Sequence, residues 1–543
     1  MPRHDVIILG GGLAGLTLAL HLRRRNEDID ILVLERRAHP VPHAAHKVGE
    51  SSVEIGAHYF DTVLGLKPHM QQDQLRKFGF RFFFSEGRRD IDQVTELGAS
   101  RFLAVPSYQI DRGIFENYLA EEAAARGIRF VDQAVVRQVG LNDDAVHTVS
   151  WTQSGQMHEA EAAWVVDASG RAGVLKHKLG LAEPNAHEVH AVWFRMGERI
   201  VLDDWSDAPA WQARCDPRAR WLSTNHLCGK GYWVWLIPLA SGSHSVGIVA
   251  DSNIHPLHGM DTYDKAMQWI EQYQPRLHDE LAGKQHLLQD FHFLRKFSYG
   301  CKKVFGENRW ALTGEAGLFL DPFYSPGSDF IAIGNTFICD LIERDRAGRP
   351  MAARAQLYDQ LFHSFYDSTL ALYQDQYALF GDPQVMPVKV IWDYAYYWGV
   401  LSQLFFQDRL TDVAVLGELR EELQHCQQLN IEVQRFLNAW SQASDKQDPG
   451  GLLDQASLPW FAALNASLNE PCADRDAFCA RVRDCIGMLR TLAWQIRERA
   501  LSTHARLPVA ALDALLARDM PLTPVDRARD DMLFESQVLA GAI

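Results

Sequence analysis

The chain has 543 residues, of which 23% are charged, and its formal net charge is −15 at pH 7. This length predicts two or three lobes with a large core, and the acid excess argues against nucleic-acid binding, which needs a basic footprint. The eight cysteines lack CxxC or zinc spacing, which indicates reduced thiols in a cytoplasmic protein. The first predicted strand lies within ten residues of the start, which leaves no room for a signal peptide. The most apolar run, 396–406, is too short to span a bilayer.

A β run at 6–9 leads into the sequence GGGLAG at 10–15 and then into a leucine-rich helical segment at 16–25. Strand, glycine turn and helix in this order are typical of a dinucleotide site, where the turn approaches a pyrophosphate. A second strand ends in Glu35, at the spacing expected of a carboxylate that binds a ribose. The candidate contacts in the turn are Gly10, Gly12, Leu13, Ala14 and Gly15.

A loop at 39–47 contains three histidines together with two prolines. The prolines break any helix that would align the histidines, and neither an acid nor a cysteine accompanies them. We therefore interpret the segment as a loop over the cofactor and predict no metal site.

The sequence KFGFRFFF at 77–84 alternates aromatic and other residues, which predicts a strand. Lys77 at its start is open to two interpretations. It is either a solvated lysine on an edge strand or a desolvated amine made reactive by its aromatic surroundings. The aromatic side chains predicted on one face are Phe78, Phe80, Phe82 and Phe84.

Segments 113–126, 130–139 and 164–171 continue a pattern of helix, strand, and strand with a tight turn. Up to this point the chain is typical of an interrupted α/β nucleotide domain. Segment 309–316 is again strand and turn, and returns the chain to that domain.

Residues from about 185 to 300 alternate short strands with polar loops, which predicts an antiparallel sheet. Within it, Trp233 and Trp235 are two positions apart and point to the same face of a strand. The pair is either ordinary sheet packing or the wall of a ligand pocket.

A Ser-Pro-Gly turn at 325–327 precedes a helical segment at 330–344, so backbone amides would face an anion at the helix start. From about 385 onward apolar residues recur at helical spacing. The segment 448–451 breaks this region into two helical groups.

Three of these stretches together resemble the signatures of flavin-dependent halogenases. They are GxGxxG at 10–15, WxWxIP at 233–238 and FxxPxxSxG at 319–327. Segment 77–82 is similar to the part of the family that bears its catalytic lysine, and VGES at 48–51 is similar to its loop near the flavin. The resemblance covers about residues 1–385.

The resemblance implies an α/β fold: an FAD-binding lobe of the glutathione-reductase Rossmann type, an inserted antiparallel β-sheet and a helical C-terminal lobe. We expect the FAD-binding core at 1–185 and 300–385, the substrate-side sheet at 186–299 and the helical lobe at 386–543.

The resemblance also implies the chemistry. A separate flavin reductase supplies FAD as FADH2, which reacts with O2 to a flavin hydroperoxide, and halide attack then gives hypohalous acid. Lys77 would deliver the halogen to an electron-rich aromatic ring, and Trp233 and Trp235 would separate that ring from the flavin. Ser325 and the following turn amides would hold halide.

The implied flavin contacts beyond the glycine turn are Glu35, Arg36, Lys47, Arg112, Asp167 and Glu315. Lys47 is also a rival for the catalytic lysine, and we prefer Lys77 because its surroundings match the lysine segment of the family. Glu315 stands where the family usually has aspartate, and the extra methylene is compatible with a hydrogen bond to the ribityl chain.

Two further departures bear on the reaction. Tyr324 stands where the tryptophan-halogenating branch has the glutamate that takes the ring proton, so free tryptophan is disfavoured. Glu50 and Asp329 are the candidate replacement bases.

Pro326 removes one of the two amides that cradle halide in the family. Gly327 and Ser328 remain as halide donors, and we expect weaker chloride binding and a preference for bromide.

The sequence thus predicts an FADH2-dependent halogenase, in particular a brominase, of a phenol, an indole or a carrier-tethered aryl group. The alternatives are an FAD-dependent aromatic monooxygenase and a flavin-binding scaffold protein without halogenation chemistry. The single glycine fingerprint and the lack of a reductase domain favour an external reductase.

Overall fold

A computed structural model describes residues 1–44, 49–143 and 146–517. The chain divides into two compact units. Unit 1 comprises Met1–Gln74, Ile110–Ala186 and Phe297–Asp367. Unit 2 comprises Leu75–Gln109, His187–Lys296 and Ser368–Ile543. Lys47, one of the predicted flavin contacts, lies outside the described residues.

The strands of the described residues are numbered in chain order. They are β1 Arg3–Leu9, β2 Ile31–Leu34, β3 Leu75–Arg76, β4 Phe80–Phe83, β5 Thr95–Gly98, β6 Tyr108–Gln109, β7 Arg129–Val131, β8 Val135–Gly140, β9 His147–Gln153, β10 Gln156–Asp167, β11 Ala182–Glu183, β12 Val189–Met196, β13 Thr224–Gly229, β14 Tyr232–Pro238, β15 His244–Asp251, β16 Leu288–Leu294, β17 Gly300–Cys301, β18 Trp310–Leu312 and β19 Gly451–Asp454.

The α-helices are numbered in the same way, and single turns of 3₁₀ or π type lie between some of them. They are α1 Leu13–Arg25, α2 Glu54–His58, α3 Lys67–Gln72, α4 Arg112–Ala125, α5 Val174–Lys178, α6 Pro209–Gln212, α7 Tyr263–Tyr273, α8 Pro275–Leu281, α9 Gly327–Arg346, α10 Ala352–Leu370, α11 Val385–Tyr396, α12 Gln403–Phe406, α13 Val413–Glu418, α14 Arg420–Ala443, α15 Pro459–Ser467, α16 Arg475–Thr503 and α17 Ala510–Leu516.

Unit 1 is built on a parallel sheet in the order β7-β2-β1-β10-β18, to which β8 and β9 add an antiparallel ribbon. The apolar strand β2 and the apolar part of β1 are buried, as strands covered on both faces should be. The Asn335 amide of α9 donates to the Ala14 carbonyl (3.3 Å) and to the Thr17 hydroxyl (3.2 Å) of α1. These bonds hold the two main helices of the unit together.

Unit 2 is built on an eight-stranded sheet in the order β16-β12-β15-β14-β13-β4-β5-β19. Most neighbours are antiparallel, as the sequence predicts, whereas β4 pairs with β13 in parallel. Residues 75–109, which include β4, fall in unit 2, whereas the predicted boundaries group them with the rest of 1–185. On β14, Tyr232, Val234 and Leu236 face the large apolar core of the unit, and the two tryptophans face the opposite way.

The predicted strand at 77–84 is wrong at its start, since β4 covers only Phe80–Phe83. Gly79 has a φ of +74°, which ends the extended backbone before β4 begins. Phe78 consequently leaves the face predicted for it and packs with Cys215 and Ala219.

The helical character predicted from residue 385 onward is confirmed by α11 to α17. The predicted break at 448–451 separates α14 from α15, and β19 follows it and pairs with β5. Among the helices that the structure describes, none is long and apolar enough to cross a membrane.

Candidate functional site

The glycine turn of unit 1 is shaped for close backbone contacts on one side and for a ligand on the other. A Cβ at Gly15 would lie 2.0 Å from the Gly10 carbonyl oxygen, and a Cβ at Gly10 would lie 2.3 Å from the Ala168 carbonyl oxygen. A Cβ at Gly12 would meet nothing within 4 Å. The first and third glycines therefore allow tight packing, while the second lines open space.

Amides without a partner in the helical ladder follow Gly12 in the chain. The first helical bond of α1 runs from the Leu16 amide to the Gly12 carbonyl (3.0 Å), so the amides of residues 13–15 precede the helical ladder. No side chain caps the helix at Gly12. Amides at the start of a 13-residue helix favour an anion, and the turn fits the pyrophosphate of FAD.

Glu35 at the end of β2 is held against this turn. Its Oε2 accepts a hydrogen bond from the Gly11 amide at 2.7 Å, and its Oε1 accepts one from the Arg37 amide at 2.8 Å. Each carboxylate oxygen retains a second lone pair for a ribose hydroxyl. The neighbouring Arg36 is exposed.

The late turn at 313–317 lies against the start of α1. A Cβ at Gly314, where φ is +60°, would approach the Ala14 Cβ to 2.9 Å. The structure thus brings the first and last predicted flavin segments together in unit 1, about 300 residues apart in the chain. Glu315 forms an ion pair with Arg171 at 3.1 Å, and both side chains are about one third exposed.

Lys176, which the sequence motifs do not single out, contacts this turn. Its ammonium donates to the Gly317 carbonyl (3.1 Å) and lies 4.0 Å from the centre of the Tyr299 ring. Burial lowers the pKa of Lys176. The Tyr299 hydroxyl donates to the Glu315 carbonyl at 2.7 Å, so a cation and a phenol together fix the turn.

Asp167 and Arg112 lie in unit 1 but are engaged by protein groups. Asp167 is fully buried and accepts from the amides of Ser169 (2.9 Å) and Leu175 (2.6 Å), and burial raises its pKa. Arg112 pairs with Glu116 at 2.6 Å and donates to the Gly49 carbonyl at 3.3 Å. Their predicted contact with flavin stays a prediction.

The Ser-Pro-Gly turn starts α9, which has 20 residues. Its first helical bond joins the Phe330 amide to the Pro326 carbonyl (3.0 Å), so the amides of Gly327 and Ser328 precede the ladder. Ser325 has a φ of +53°, a left-handed conformation that costs a non-glycine residue about 1 kcal/mol. Strained backbone conformations of this kind cluster at functional sites.

The segment after the predicted flavin loop packs against this helix start. A Cβ at Gly56 in α2 would lie 2.6 Å from the Ser328 Cβ, and the Gly56 amide donates to Asp329 Oδ1 at 2.8 Å. Asp329 therefore binds backbone, which leaves it less suited to act as a base. Glu50 is buried, and its carbonyl accepts from the Ile110 amide at 2.7 Å.

Lys77 lies in unit 2 and is only 3% exposed, so the interpretation as a solvated edge lysine is wrong. Its Nζ lies 3.4 Å from the centre of the Phe80 ring, within the range of a cation–π contact. The predicted aromatic setting is confirmed, with the ring of Phe80 directly beneath the ammonium.

An aromatic face continues from Phe80 across the sheet. The rings of Phe80 and His226 lie 5.3 Å apart, those of His226 and Trp233 lie 5.2 Å apart, and those of Trp233 and Trp235 lie 5.7 Å apart. Both tryptophans are buried, and their indole N–H groups donate to the Tyr377 hydroxyl (2.9 Å) and the Ser245 hydroxyl (3.1 Å), respectively. The two tryptophans thus share a face with the ring beneath Lys77.

A buried ion cluster lies behind the lysine segment. Glu96 is bound by Arg81, by Arg220 at 2.8 Å and by Arg214 at 3.2 Å. Burial alone would raise the pKa of Glu96, but the surrounding arginines hold that pKa below its ordinary range. Arg220 also contacts Asp203 at 3.4 Å.

Comparison with known proteins places these features in context. A family described as "FAD binding domain" matches residues 3–215. A flavin-dependent halogenase from Dictyostelium discoideum, chlA, is 26% identical over an alignment of 437 positions, which covers 73% of this chain and 70% of the relative. A 1H-pyrrole-2-carbonyl-[peptidyl-carrier protein] chlorinase from Pseudomonas fluorescens is 26% identical over 63% of this chain and 76% of its own.

The fold is also that of a solved structure, halogenase PltM in complex with phloroglucinol and FAD. The TM-score is 0.65 at 16% identity, and the match covers 99% of both chains. The chain therefore contains an FAD-binding domain and is related to the flavin-dependent halogenases, as its sequence motifs predict.

Proposed function

We propose that this protein is an FADH2-dependent halogenase that transfers an electrophilic halogen to an electron-rich aromatic ring. The observation that carries the proposal is the buried ammonium of Lys77 over Phe80, at one end of an aromatic face. An aromatic hydroxylase has no need of such a lysine. The halogenase relatives, with their FAD-binding domain, support the same conclusion.

When bound, FAD reduced by a separate flavin reductase supplies the two electrons that activate O2 for oxidation of halide to hypohalous acid. In unit 1 the turn at 10–15 and the amides of α1 hold the pyrophosphate, and Glu35 holds the ribose. Ser325 and the amides of Gly327 and Ser328 bind the halide. This assignment is supported by the strained Ser325 backbone and by the open space at Gly327, where a Cβ would meet nothing within 4 Å.

Lys77 then acts on hypohalous acid. Its ammonium donates a proton to the oxygen, the ring carbon forms a bond to the halogen, and the oxygen leaves as water. The ring proton leaves to a base, for which we propose Glu50. The net change is ArH + HOX → ArX + H2O, and Lys77 regains its proton when that base releases one.

The substrate class we propose is a phenol, an indole or an aryl group tethered to a carrier protein. The carrier form draws support from the pyrrole chlorinase relative, whose substrate is carried in that way. Tyr324 in place of the family glutamate argues against free tryptophan. The missing amide at Pro326 leads us to propose bromide as the preferred halide.

Mass spectrometry of products tests the reaction class. Wild-type protein is incubated with FAD, a flavin reductase, NADH and equal bromide and chloride, with a panel of phenols, indoles and their carrier-bound forms. We expect a halogenated product in which bromine predominates. Hydroxylated product would establish the monooxygenase instead, predominance of chlorine would refute the bromide preference, and FAD binding without any product across the panel would favour the scaffold.

A further inference from the structure

The backbone of residues 77–79 lies between β3 and β4 and is held by hydrogen bonds to other segments. The bonds run from the Lys77 amide to the Ser107 carbonyl (2.8 Å), from the Phe78 amide to the Leu222 carbonyl (3.1 Å), and from the Thr224 amide to the Gly79 carbonyl (3.1 Å). The Phe78 carbonyl accepts a hydrogen bond from a side chain. Ser223 donates its hydroxyl to this carbonyl at 3.2 Å.

We propose that Ser223, backed by Arg81, is the positioning residue that holds Lys77 for halogen transfer; this inference rests on the function proposed above. The Ser223 hydroxyl accepts from Arg81 Nε at 3.5 Å while it donates to the Phe78 carbonyl. The Arg81 guanidinium also lies 5.5 Å from the centre of the Phe78 ring. The residue that follows Lys77 is therefore held through both its carbonyl and its ring.

Arg81 is itself immobilised. It is fully buried, its guanidinium pairs with Glu96, and its Nη2 donates to the Ala99 carbonyl at 2.5 Å. A Cβ at Gly98 would lie 2.9 Å from the centre of the guanidinium, so the absence of a side chain there makes room for it. The buried ion cluster thus gives rigid support to the hydrogen bond between Arg81 and Ser223.

This support matters because Lys77 has a long side chain with several rotatable bonds and a glycine lies two positions after it. Gly79 has a φ of +74°, and a Cβ there would meet nothing within 4 Å, so this residue is held by the hydrogen bond from the Thr224 amide and has no side chain to pack. The hydrogen bonds of residues 77–79 therefore contribute to the position of the ammonium over Phe80. Loss of the Ser223 bond frees the Phe78 carbonyl and lets the ammonium leave its place.

The chemical consequence is escape of the oxidant. Hypohalous acid that a displaced Lys77 does not engage diffuses into bulk solvent. There it halogenates any reactive C–H compound, forming a C–X bond and water. A variant that is merely unstable makes less product of both kinds, whereas a mispositioned lysine diverts halogen from the bound substrate to the solvent.

The test measures this partition. Wild type and Ser223→Ala turn over an aromatic substrate from the panel in the presence of monochlorodimedone, and both halogenated products are quantified per FADH2 consumed. Loss of one hydrogen bond corresponds to about tenfold in rate. We expect the ratio of substrate product to scavenger product to fall about tenfold, with KM and FAD affinity unchanged.

Further variants separate positioning from stability. Ser223→Thr keeps the hydroxyl and restores the ratio, and Ser223→Cys, which keeps the volume but weakens the donor, gives an intermediate value. Lys77→Met marks the limit of complete diversion. Ser85→Ala is the matched control, because Ser85 is also buried in unit 2 and donates its hydroxyl at 2.7 Å, but to Gln274. We expect its ratio to equal that of the wild type.

Three results would overturn the inference, and they are distinguishable. A wild type that halogenates neither compound overturns the proposed function and this inference with it. A wild type that halogenates the substrate, together with an unchanged ratio in Ser223→Ala, overturns the positioning role alone. An equal fall of both products in Ser223→Ala and Ser85→Ala also overturns it, since it would indicate only lost stability.

Discussion

Glu96→Gln is the substitution whose cost the structure predicts most sharply. The carboxylate is fully buried and is shared by two fully buried arginines, Arg81 and Arg220. Removing one partner of a buried ion pair costs about 3–5 kcal/mol because a charge is left without compensation. Arg220 keeps Asp203 at 3.4 Å and the Trp211 carbonyl at 2.8 Å. The loss therefore falls mainly on Arg81, and we expect unit 2 to be destabilised by about 4 kcal/mol.

Asp203→Asn provides the comparison. Asp203 accepts from the backbone amides of Arg220 (3.3 Å) and Trp221 (3.2 Å), and an amide oxygen can accept the first of these bonds equally well. We expect a cost of about 1–2 kcal/mol. Asp261→Asn, which breaks a surface pair with Lys265, leaves the unfolding curve unchanged.

Urea unfolding followed by tryptophan fluorescence measures these costs, with FAD binding as a separate reporter of unit 1. The pH dependence gives a second check. The folded pKa of Glu96 lies below its ordinary value of 4.5, so its contribution is present above that pH and is lost as the pH falls through the folded value. Glu96→Gln should lack this acid-dependent loss. A cost below about 1 kcal/mol for Glu96→Gln would refute the reasoning.

Two further predictions concern unit 1. Gly12→Ala should lower FAD affinity about tenfold or more and leave the unfolding of the apoprotein unchanged, because its methyl group enters only the open space at the turn. Gly15→Ala should instead destabilise the apoprotein by about 2 kcal/mol or more, because its Cβ meets the Gly10 carbonyl. FAD titration and apoprotein unfolding separate the two, and equal FAD affinity of Gly12→Ala and wild type would contradict the assignment. Burial, with Arg25 nearby, lowers the pKa of His21 from 6.5 to about 3. The contribution of His21 to the free energy of unfolding is therefore complete above pH 6.5 and falls by about 2 kcal/mol between pH 6.5 and about pH 5. His21→Gln should flatten that slope in a urea series at several pH values, and an unchanged slope would show that other groups dominate.

Features that depend on neighbouring residues could be predicted from the sequence. The glycine turn, β1 and α1 are contiguous, and the fingerprint specifies their backbone conformation directly. The two tryptophans of β14 share a face because strand alternation is a local property. The helices after residue 385 follow from apolar periodicity.

Features that depend on pairing between distant segments could not be predicted. Lys77 is buried because β4 pairs with β13, and the bond from Ser223 to the Phe78 carbonyl spans 145 positions. Arg81 and Glu96 carry no local signal that distinguishes them from charges on a solvated strand. The run of aromatic residues in β4 indicates that the strand is buried on both faces. A buried arginine such as Arg81 needs a partner of opposite charge.

The same reason explains the missed residues of unit 1. Lys176 and Arg171 follow a predicted strand and turn, where lysines and arginines are usually solvent-exposed. Their contacts with Tyr299 and with the turn at 314–317 arise only when β10 and β18 lie side by side. A single Gly79 ends the predicted aromatic alternation, because its positive φ interrupts the extended backbone.

The measurement that tests the role of the lysine most directly compares wild type, Lys77→Met and Lys77→Arg in separate reactions of identical composition. The readout is the mass of the product. FAD titration of all three serves as the control, since Lys77 lies in unit 2, whereas the glycine turn and Glu35 lie in unit 1. With excess monochlorodimedone present to trap free hypohalous acid, we predict halogenated substrate from the wild type, halogenated scavenger alone from Lys77→Met, and equal FAD affinity throughout. Lys77→Arg, which keeps the charge but alters its geometry, should retain only a trace of substrate halogenation. Undiminished halogenation of the substrate by Lys77→Met would contradict the central role of this lysine.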